Sequence, residues 1–380
     1  MGLMSRFKGP DGRIDIKSLT LAELHKEMSD IDKAKYRAHQ VYKWVWQKHA
    51  TTFDEMTNIS KKTREQLDER FYISWLEQHM KLESEDGTTK FVWQLSEEEH
   101  IESVLIPDPG IPGHSRPRLT LCMSSQVGCA MACSFCLTGD LGLKRNLKPS
   151  EIANQALQVN ATLPEGERIT NLVFMGMGEP LHNITNLVRA LDILLDDDAQ
   201  NFSHRKVTVS TVGLVPQMAR LAAATPVNLA VSLNATTNEQ REQVMPITRR
   251  YDLDRLMQGC RDFPLPHAKR ITFEYVMMHG FNDSWDDAAR LVKLMRGVKS
   301  KVNLIPYNEN PQRDILRPPD DHVKAFQHFL VSRGIQCSIR TTRGIDISAA
   351  CGQLGKATQG LRIEEAQLPG PTVSLDEVSS

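Results

Sequence analysis

The chain has 380 residues, 40% hydrophobic and 24% charged, which excludes wholesale disorder and a small disulfide-stapled scaffold and predicts two or three domains. Lys plus Arg (46) balances Asp plus Glu (47), so global charge argues neither for nor against nucleic acid, and any polyanion site must be a local patch. No run of eighteen apolar residues occurs and Met1–Arg6 lacks the apolar core of a signal peptide, so the expectation is a cytoplasmic chain with no membrane association.

Residues 18–80 read as helical. Ser18-Leu19-Thr20 opens a segment with apolar Leu21, Leu24 and Met28, and basic and aromatic residues interleave from Tyr36 to Trp46. Trp44 and Trp46 serve either a ligand or the packing of that helical unit. Asp86-Gly87 separates two strand-like runs, Lys81–Glu85 and Thr89–Leu95, as a hairpin turn would. From about residue 100 strands and helices alternate. The strands are expected at 119–123, 172–175, 206–210, 228–233, 270–276, 302–305 and 336–340. Helices are expected near 150–162, 184–196, 214–223, 252–262, 284–296 and 320–333. This rhythm defines an α/β class with a parallel sheet and crossover helices. No Gly-x-Gly-x-x-Gly opens its first helix, so a dinucleotide site of the Rossmann type is not expected. After Cys351-Gly352-Gln353-Leu354 the periodicity fades and Pro and Ser gather, which predicts a disordered tail.

Seven unevenly spaced cysteines in such a chain are not a disulfide framework, and three of them fall within eight residues. Cys129-x-x-x-Cys133-x-x-Cys136 offers three thiolates on one tight loop. Structural zinc wants four protein ligands, commonly as two separated pairs, and no second Cys-x-x-Cys occurs. A [4Fe–4S] cluster with three cysteine ligands and one open iron fits the spacing better; zinc completed by a distant His is the alternative.

That spacing resembles the radical S-adenosylmethionine (SAM) superfamily. Phe174-Met175-Gly176-Met177-Gly178-Glu179-Pro180 stands where that superfamily carries a glycine-rich loop for SAM: glycines permit close approach, and Glu179 offers a carboxylate to an ammonium. Ser210, the run Ser232-Leu233-Asn234, and Asn308 fall at or just after the ends of later strands, where parallel barrels hold ligands. Ser125–Cys129, Gly142–Leu147, Met175–Leu181, Val209–Thr211, Val302–Pro306 and Ala349–Leu354 together resemble the RlmN/Cfr family of RNA methyltransferases, over roughly residues 18–356. The family commonly has Ser-Leu-His where this chain has Ser232-Leu233-Asn234, and Asn cannot be protonated.

The resemblance implies a partial (β/α)6 barrel over residues 117–345, preceded by a helical RNA-binding accessory domain (1–80) and a β-rich linker (81–116), and followed by a C-terminal segment (346–380). It implies one [4Fe–4S] cluster on Cys129, Cys133 and Cys136, and two SAM molecules per turnover, with Gly178, Glu179, Ser210, Ser232, Leu233, Asn234 and Asn308 as SAM ligands. It further implies that Cys351 is methylated and carries the methyl group to C2 of an adenine, that Cys122 releases the product through a transient disulfide with Cys351, and that Glu102 accepts the C2 proton. C2 lies between two ring nitrogens and is no nucleophile, which is why a radical route is needed. The implied partners are 23S ribosomal RNA, some transfer RNAs and a reductant protein such as flavodoxin, acting on a monomer. Cys260 and Cys337 match nothing in the family and are expected to be buried, small apolar residues. Candidate RNA patches are Lys144-Arg145 with Lys148, Arg249-Arg250, Arg340 with Arg343, and Lys43, Lys48, Lys61, Lys62 and Arg64. Methylation at C8, as in Cfr, and a non-catalytic iron–sulfur RNA-binding protein are the alternatives.

Overall fold

A computed structural model describes residues 7–32, 34–110, 117–266 and 269–355; the tail expected to be disordered lies outside these residues. The chain opens with β1 (Ile14–Asp15), α1 (Leu21–Met28), α2 (Lys35–Trp46), α3 (Lys61–Arg70) and β2 (Phe71–Tyr72). Thr20 starts α1 through a capping box with Glu23, and Leu24 and Met28, one turn apart, are buried. Tyr42 and Trp46 face the core at 1% exposure, which settles their part in packing, whereas Tyr36 stands 58% exposed and Lys48 lies over the half-buried Trp44 ring. This helical part is not a loose appendage. Lys17 Nζ reaches Asn154 at 3.0 Å, Ser18 meets Ser150, and Arg189 pairs with Glu23.

Three antiparallel strands follow: β3 (Glu77–Glu83), β4 (Thr89–Ser96) and β5 (Glu99–Asp108). Residues 77–80, expected within the helical unit, therefore already belong to the sheet. The expected turn at Asp86-Gly87 is present, with Gly87 at φ +81°.

The remaining elements alternate: β6 (Arg118–Cys122), β7 (Gln126–Gly128), α4 (Leu137–Asp140), β8 (Leu143–Asn146), α5 (Pro149–Ala161), β9 (Asn171–Phe174), α6 (Ile184–Leu195), β10 (Val207–Thr211), α7 (Val215–Ala224), β11 (Asn228–Ser232), α8 (Asn238–Val244), α9 (Leu253–Asp262), β12 (Ile271–Met277), α10 (Trp285–Leu294), β13 (Ser300–Pro306), α11 (Asp320–Ser332) and β14 (Cys337–Ile339). One ten-stranded sheet runs in the order β14-β13-β12-β11-β10-β9-β6-β5-β4-β3. Within this sheet, from β6 through β9 to β14, every pairing is parallel and each strand lies beside the one before it, while β7 and β8 form a separate antiparallel pair. Strictly sequential order keeps the right-handed crossovers on one face, which is the winding of a barrel and not of a doubly wound sheet. The supposed linker is thus an antiparallel extension of the same sheet, and it sets Glu102 and Cys122 beside each other's strands. Cys260 is buried as expected. Cys337 is only half-buried, because β14 is a short edge strand with a neighbour on one side alone. Among the described residues no helix is long and apolar enough to cross a membrane.

Candidate active site

The carboxyl ends of the parallel strands open onto a chamber that is continuous with solvent. Cys129, Cys133 and Cys136 line it, on the loop between β7 and α4. Local backbone shape fixes that loop. Gly128 sits at φ +72°, and a Cβ there would lie 1.8 Å from Gly142 O, so no other residue fits. Cys129 N donates to Gly142 O, Ser134 N to Val244 O and Leu137 N to Gly352 O. Among the described residues, no three His, Cys, Asp or Glu side chains close on a point that would grip a single metal ion. The three thiols share the wall of the chamber. Burial pushes Cys129 up to about 12 and raises Cys133 and Cys136 as well. Thiolates at these positions need a strong cationic partner, and iron supplies one.

The glycine-rich loop after β9 crosses directly over the strand that feeds the cysteines. Met177 N donates to Ser124 Oγ at 2.9 Å, Ser125 N to Met177 O at 2.8 Å, and Glu179 N to Gln126 Oε1 at 2.8 Å. A Cβ on Gly176 would lie 2.7 Å from Met123 O. Glu179 is buried at the chamber wall. Its Oε1 accepts from Thr211 Oγ1 and Leu181 N, and its Oε2 from Val212 N, so Oε2 keeps one acceptor direction for a ligand. Burial still pushes its carboxyl up to about 7 despite these bonds, and an ammonium ligand would reverse that.

Ser210, Ser232, Asn234 and Asn308 all line the same chamber; Leu233 is fully buried behind it and donates its N–H to Glu274 O. Asn234 adopts φ +58°, a left-handed conformation that Asn tolerates better than most residues. Its Oδ1 accepts from Val276 N, and its Nδ2 meets Met245 Sδ, so the amide fastens β11 to β12. Asn308 Nδ2 donates to Cys351 O at 3.1 Å, while its Oδ1 is buried and without a partner. A buried, unpartnered acceptor facing the chamber suits a hydroxyl or amine of a bound ligand.

Cys351 reaches this chamber although it is distant in sequence. Leu137 N donates to Gly352 O, and Thr138 Oγ1 to Leu354 O, so α4 holds the C-terminal segment beside Cys136. A second, smaller cavity is lined by both Cys122 and Cys351, each a free thiol. Burial pushes Cys122 up to about 12; Cys351 adds to this and Arg340 opposes it. Glu102 lines neither cavity. It lies buried just beneath, with Oε1 accepting from Gly355 N.

Two functional positions were misread or missed in the sequence. Arg340, expected in an outer RNA patch, lies in the wall shared by the two cavities. Arg241, wholly buried, donates to Leu233 O, Val212 O and Ser232 O and so ties together the strand ends that carry the ligand-facing loops. Neither had a sequence signal, since an isolated Arg on a polar helix or after a strand reads as surface. Of the other basic candidates, Arg145 pairs with Glu99 and Glu151, Lys43 with Asp198, and Arg249 with Glu242, whereas Lys48, Lys61 and Lys62 are exposed.

A sequential parallel barrel with a three-cysteine loop and a glycine-rich loop at its carboxyl ends defines a radical SAM protein, and residues 123–292 match the family model of that superfamily. Residues 14–73 match the model described as the ribosomal RNA large subunit methyltransferase N-terminal domain. Among curated relatives, the dual-specificity RNA methyltransferase RlmN of Geotalea uraniireducens is 50% identical over 90% of this chain and 96% of its own length. That of Geobacter sulfurreducens is 49% identical over 90% and 92%. A crystal structure of a radical SAM methyltransferase from Sphaerobacter thermophilus superposes with a TM-score of 0.82 at 40% identity, covering 89% of this chain and 98% of that one. The chain belongs to the RlmN family.

Gly178 yields a first prediction. It sits at φ +96°, and a Cβ there would lie 2.5 Å from Gln126 Cβ, so Gly178→Ala must displace the loop that the ligand meets. Strain of about 1–3 kcal/mol corresponds to SAM binding weakened by about fivefold to about 150-fold. Equilibrium dialysis against labelled SAM checks this. Gly280→Ala, at φ +68° with open space around its Cβ, is the control that should keep wild-type affinity.

Proposed function

We propose that this chain methylates C2 of an adenosine in 23S ribosomal RNA and in some transfer RNAs, with Cys351 as the carrier of the methyl group. The observation that carries the reading is the placement of Cys351: Asn308, Leu137 and Thr138 draw a C-terminal cysteine into the wall of the chamber, and Cys122 lines the adjoining cavity with it. A non-catalytic iron–sulfur protein has no use for that pair. Cys129, Cys133 and Cys136 hold the [4Fe–4S] cluster, and Gly178, Glu179, Ser210, Ser232, Asn234 and Asn308 hold SAM, with Leu233 packed behind them and its N–H and C=O already bonded to Glu274 and Arg241. When bound, cluster and SAM together supply the methyl group and the radical chemistry that C2 requires.

The chain's own residues do the rest. Cys351 Sγ takes up the methyl carbon and presents it to C2, tethering the RNA through sulfur. Glu102 takes the C2 proton. Cys122 then attacks the Cys351 sulfur: the S–S bond forms as the S–CH2 bond to the product breaks. The released electron pair stays on that carbon, which takes up a proton, and the reductant later returns the disulfide to two thiols. Arg340, in the wall shared by both cavities, counters the burial that holds the Cys122 thiol protonated. RNA is met by the outer face of the helical part, with Tyr36, Lys48, Lys61 and Lys62, and its target adenosine leaves the stack to reach the chamber. With this reading go a cytoplasmic location, a monomer and a reductant protein such as flavodoxin.

C2 is favoured over C8 because the relatives that match nine-tenths of this chain at about half identity are named RlmN. The test is to treat unmodified 23S ribosomal RNA and transfer RNA with reconstituted protein, SAM and a reductant, then separate the methyladenosines by chromatography and mass spectrometry. 2-Methyladenosine is the expected product. 8-Methyladenosine would replace the reading by its C8 counterpart, and absence of SAM cleavage would leave only RNA binding.

A further inference from the structure

We propose that Lys90 is a positioning residue for the proton transfer: it pairs with the buried Glu102 carboxylate and ties it to the segment that bears Cys351. The inference rests on Glu102 being the proton acceptor at C2. The sheet register creates the arrangement. Lys90 on β4 lies opposite Val104 on β5, and Val104 lies opposite Cys122 on β6. Directly opposed residues share a face, as do residues two apart on one strand, so Lys90, Glu102, Val104 and Cys122 all point to the same side of the sheet. That side is covered by the C-terminal segment.

Lys90 and Glu102 are 1% and 2% exposed, and their charged ends approach to 3.6 Å. Lys90 Nζ also donates to Ser348 O at 3.2 Å, three residues before Cys351, while Gly355 N–H, four residues after it, meets Glu102 Oε1. The turn before β4 extends the grip: Gly344 N donates to Asp86 Oδ2, and Ser84 Oγ to Asp346 Oδ1. The ion pair and the carrier cysteine are therefore held as one assembly.

The chemistry needs this cation. A carboxyl buried without a positive partner takes up a proton, and an acid that already holds one accepts no other. Lys90, 3.6 Å from Oε2, is such a positive partner. In the transfer the C2–H bond breaks, its electron pair stays on the ring carbon, and the proton forms an O–H bond on Glu102. Gly355 has to leave Oε1 for C2–H to approach, whereas Lys90 remains on Oε2 and on Ser348.

The test uses the full-length reconstituted enzyme and ribosomal RNA fragments carrying hydrogen or deuterium at C2 of the target adenosine. Lys90→Gln removes the charge but keeps a donor for Ser348 O; Lys90→Met is a second neutral variant should that one fold poorly; Lys90→Arg restores the charge. The neutral variant should methylate Cys351 within about twofold of wild type, yet form methyladenosine about 100-fold more slowly. Its isotope effect from C2 deuterium should exceed that of the wild type. Lys90→Arg should recover all but about tenfold of the rate. Parallel loss of Cys351 methylation and product at an unchanged isotope effect would reduce Lys90 to a structural role, and an unchanged rate would remove it altogether. Wild-type rate and isotope effect in Glu102→Gln would overturn the reading of Glu102 and this inference with it, even if Lys90→Gln were impaired.

Discussion

Cys122→Ala protein is expected to accumulate as a covalent conjugate with RNA, and Cys351→Ala protein is expected to carry none. Cys351 is the proposed carrier: its segment is bonded to α4 and to Asn308, and it lines the same chamber as Cys129, Cys133 and Cys136. Without its sulfur no methyl group is taken up and no tether forms. Cys122 ends β6, 5% exposed, and lines only the second cavity, so it reaches Cys351 but not the chamber. Its loss spares methyl uptake and addition to the base but removes the thiol that releases the adduct. Burial keeps Cys122 protonated at neutral pH, and Arg340 opposes that burial from the cavity wall. It is thus held in reserve and does not compete with Cys351 for the methyl group. Expression of both variants in cells, followed by electrophoresis with and without nuclease, decides the matter. A nuclease-sensitive band of lower mobility should dominate in Cys122→Ala. Conjugate in Cys351→Ala but not in Cys122→Ala would reverse the two roles, and conjugate in neither would remove the tether from the mechanism.

What the sequence disclosed depended on whether a residue's role is local. The strands and crossover helices from residue 117 onward were legible because each carries its own periodicity, and Asp86-Gly87 marked its own turn. The cysteine and glycine-rich loops were legible because their residues must be close in the chain to share a ligand. Trp46 was ambiguous, since an aromatic residue between basic ones reads equally as a stacking platform or as core, and only packing shows that it is core. Arg340 was misplaced for a related reason: a guanidinium after a strand reads as surface until a second element folds over it, and here residues 341–354 do so. Lys90 and Glu102 are two ordinary charges twelve positions apart until the register of β4 and β5 sets them diagonally across one face. Asn234 adopts a left-handed backbone at φ +58°, a demand on that position that no sequence pattern contains.

Replacing Cys129, Cys133 and Cys136 by Ala, singly or together, is expected to abolish iron binding and SAM cleavage while leaving the fold in place. The two halves of this expectation have separate physical grounds. The loop's shape does not come from its thiols. Gly128 packed on Gly142, Ser134 N on Val244 O and Leu137 N on Gly352 O fix it through backbone, and the glycine-rich loop is bonded to Ser124, Ser125 and Gln126. The melting temperature should therefore change little, or rise, because buried thiols without iron give way to apolar methyl groups. Iron retention has no such redundancy. On the proposed assignment each thiolate is a direct ligand of the cluster, so the loss of any one removes an iron–sulfur bond that the backbone cannot replace. Anaerobic reconstitution followed by iron analysis should give about four irons per chain in the wild type and background in the triple variant. Cys260→Ala, in a residue buried on α9, and Cys337→Ala, on the edge strand β14, should keep the wild-type iron content. Full retention of iron by the triple variant would show the loop to be incidental, and the assignment of the chamber would fall with it.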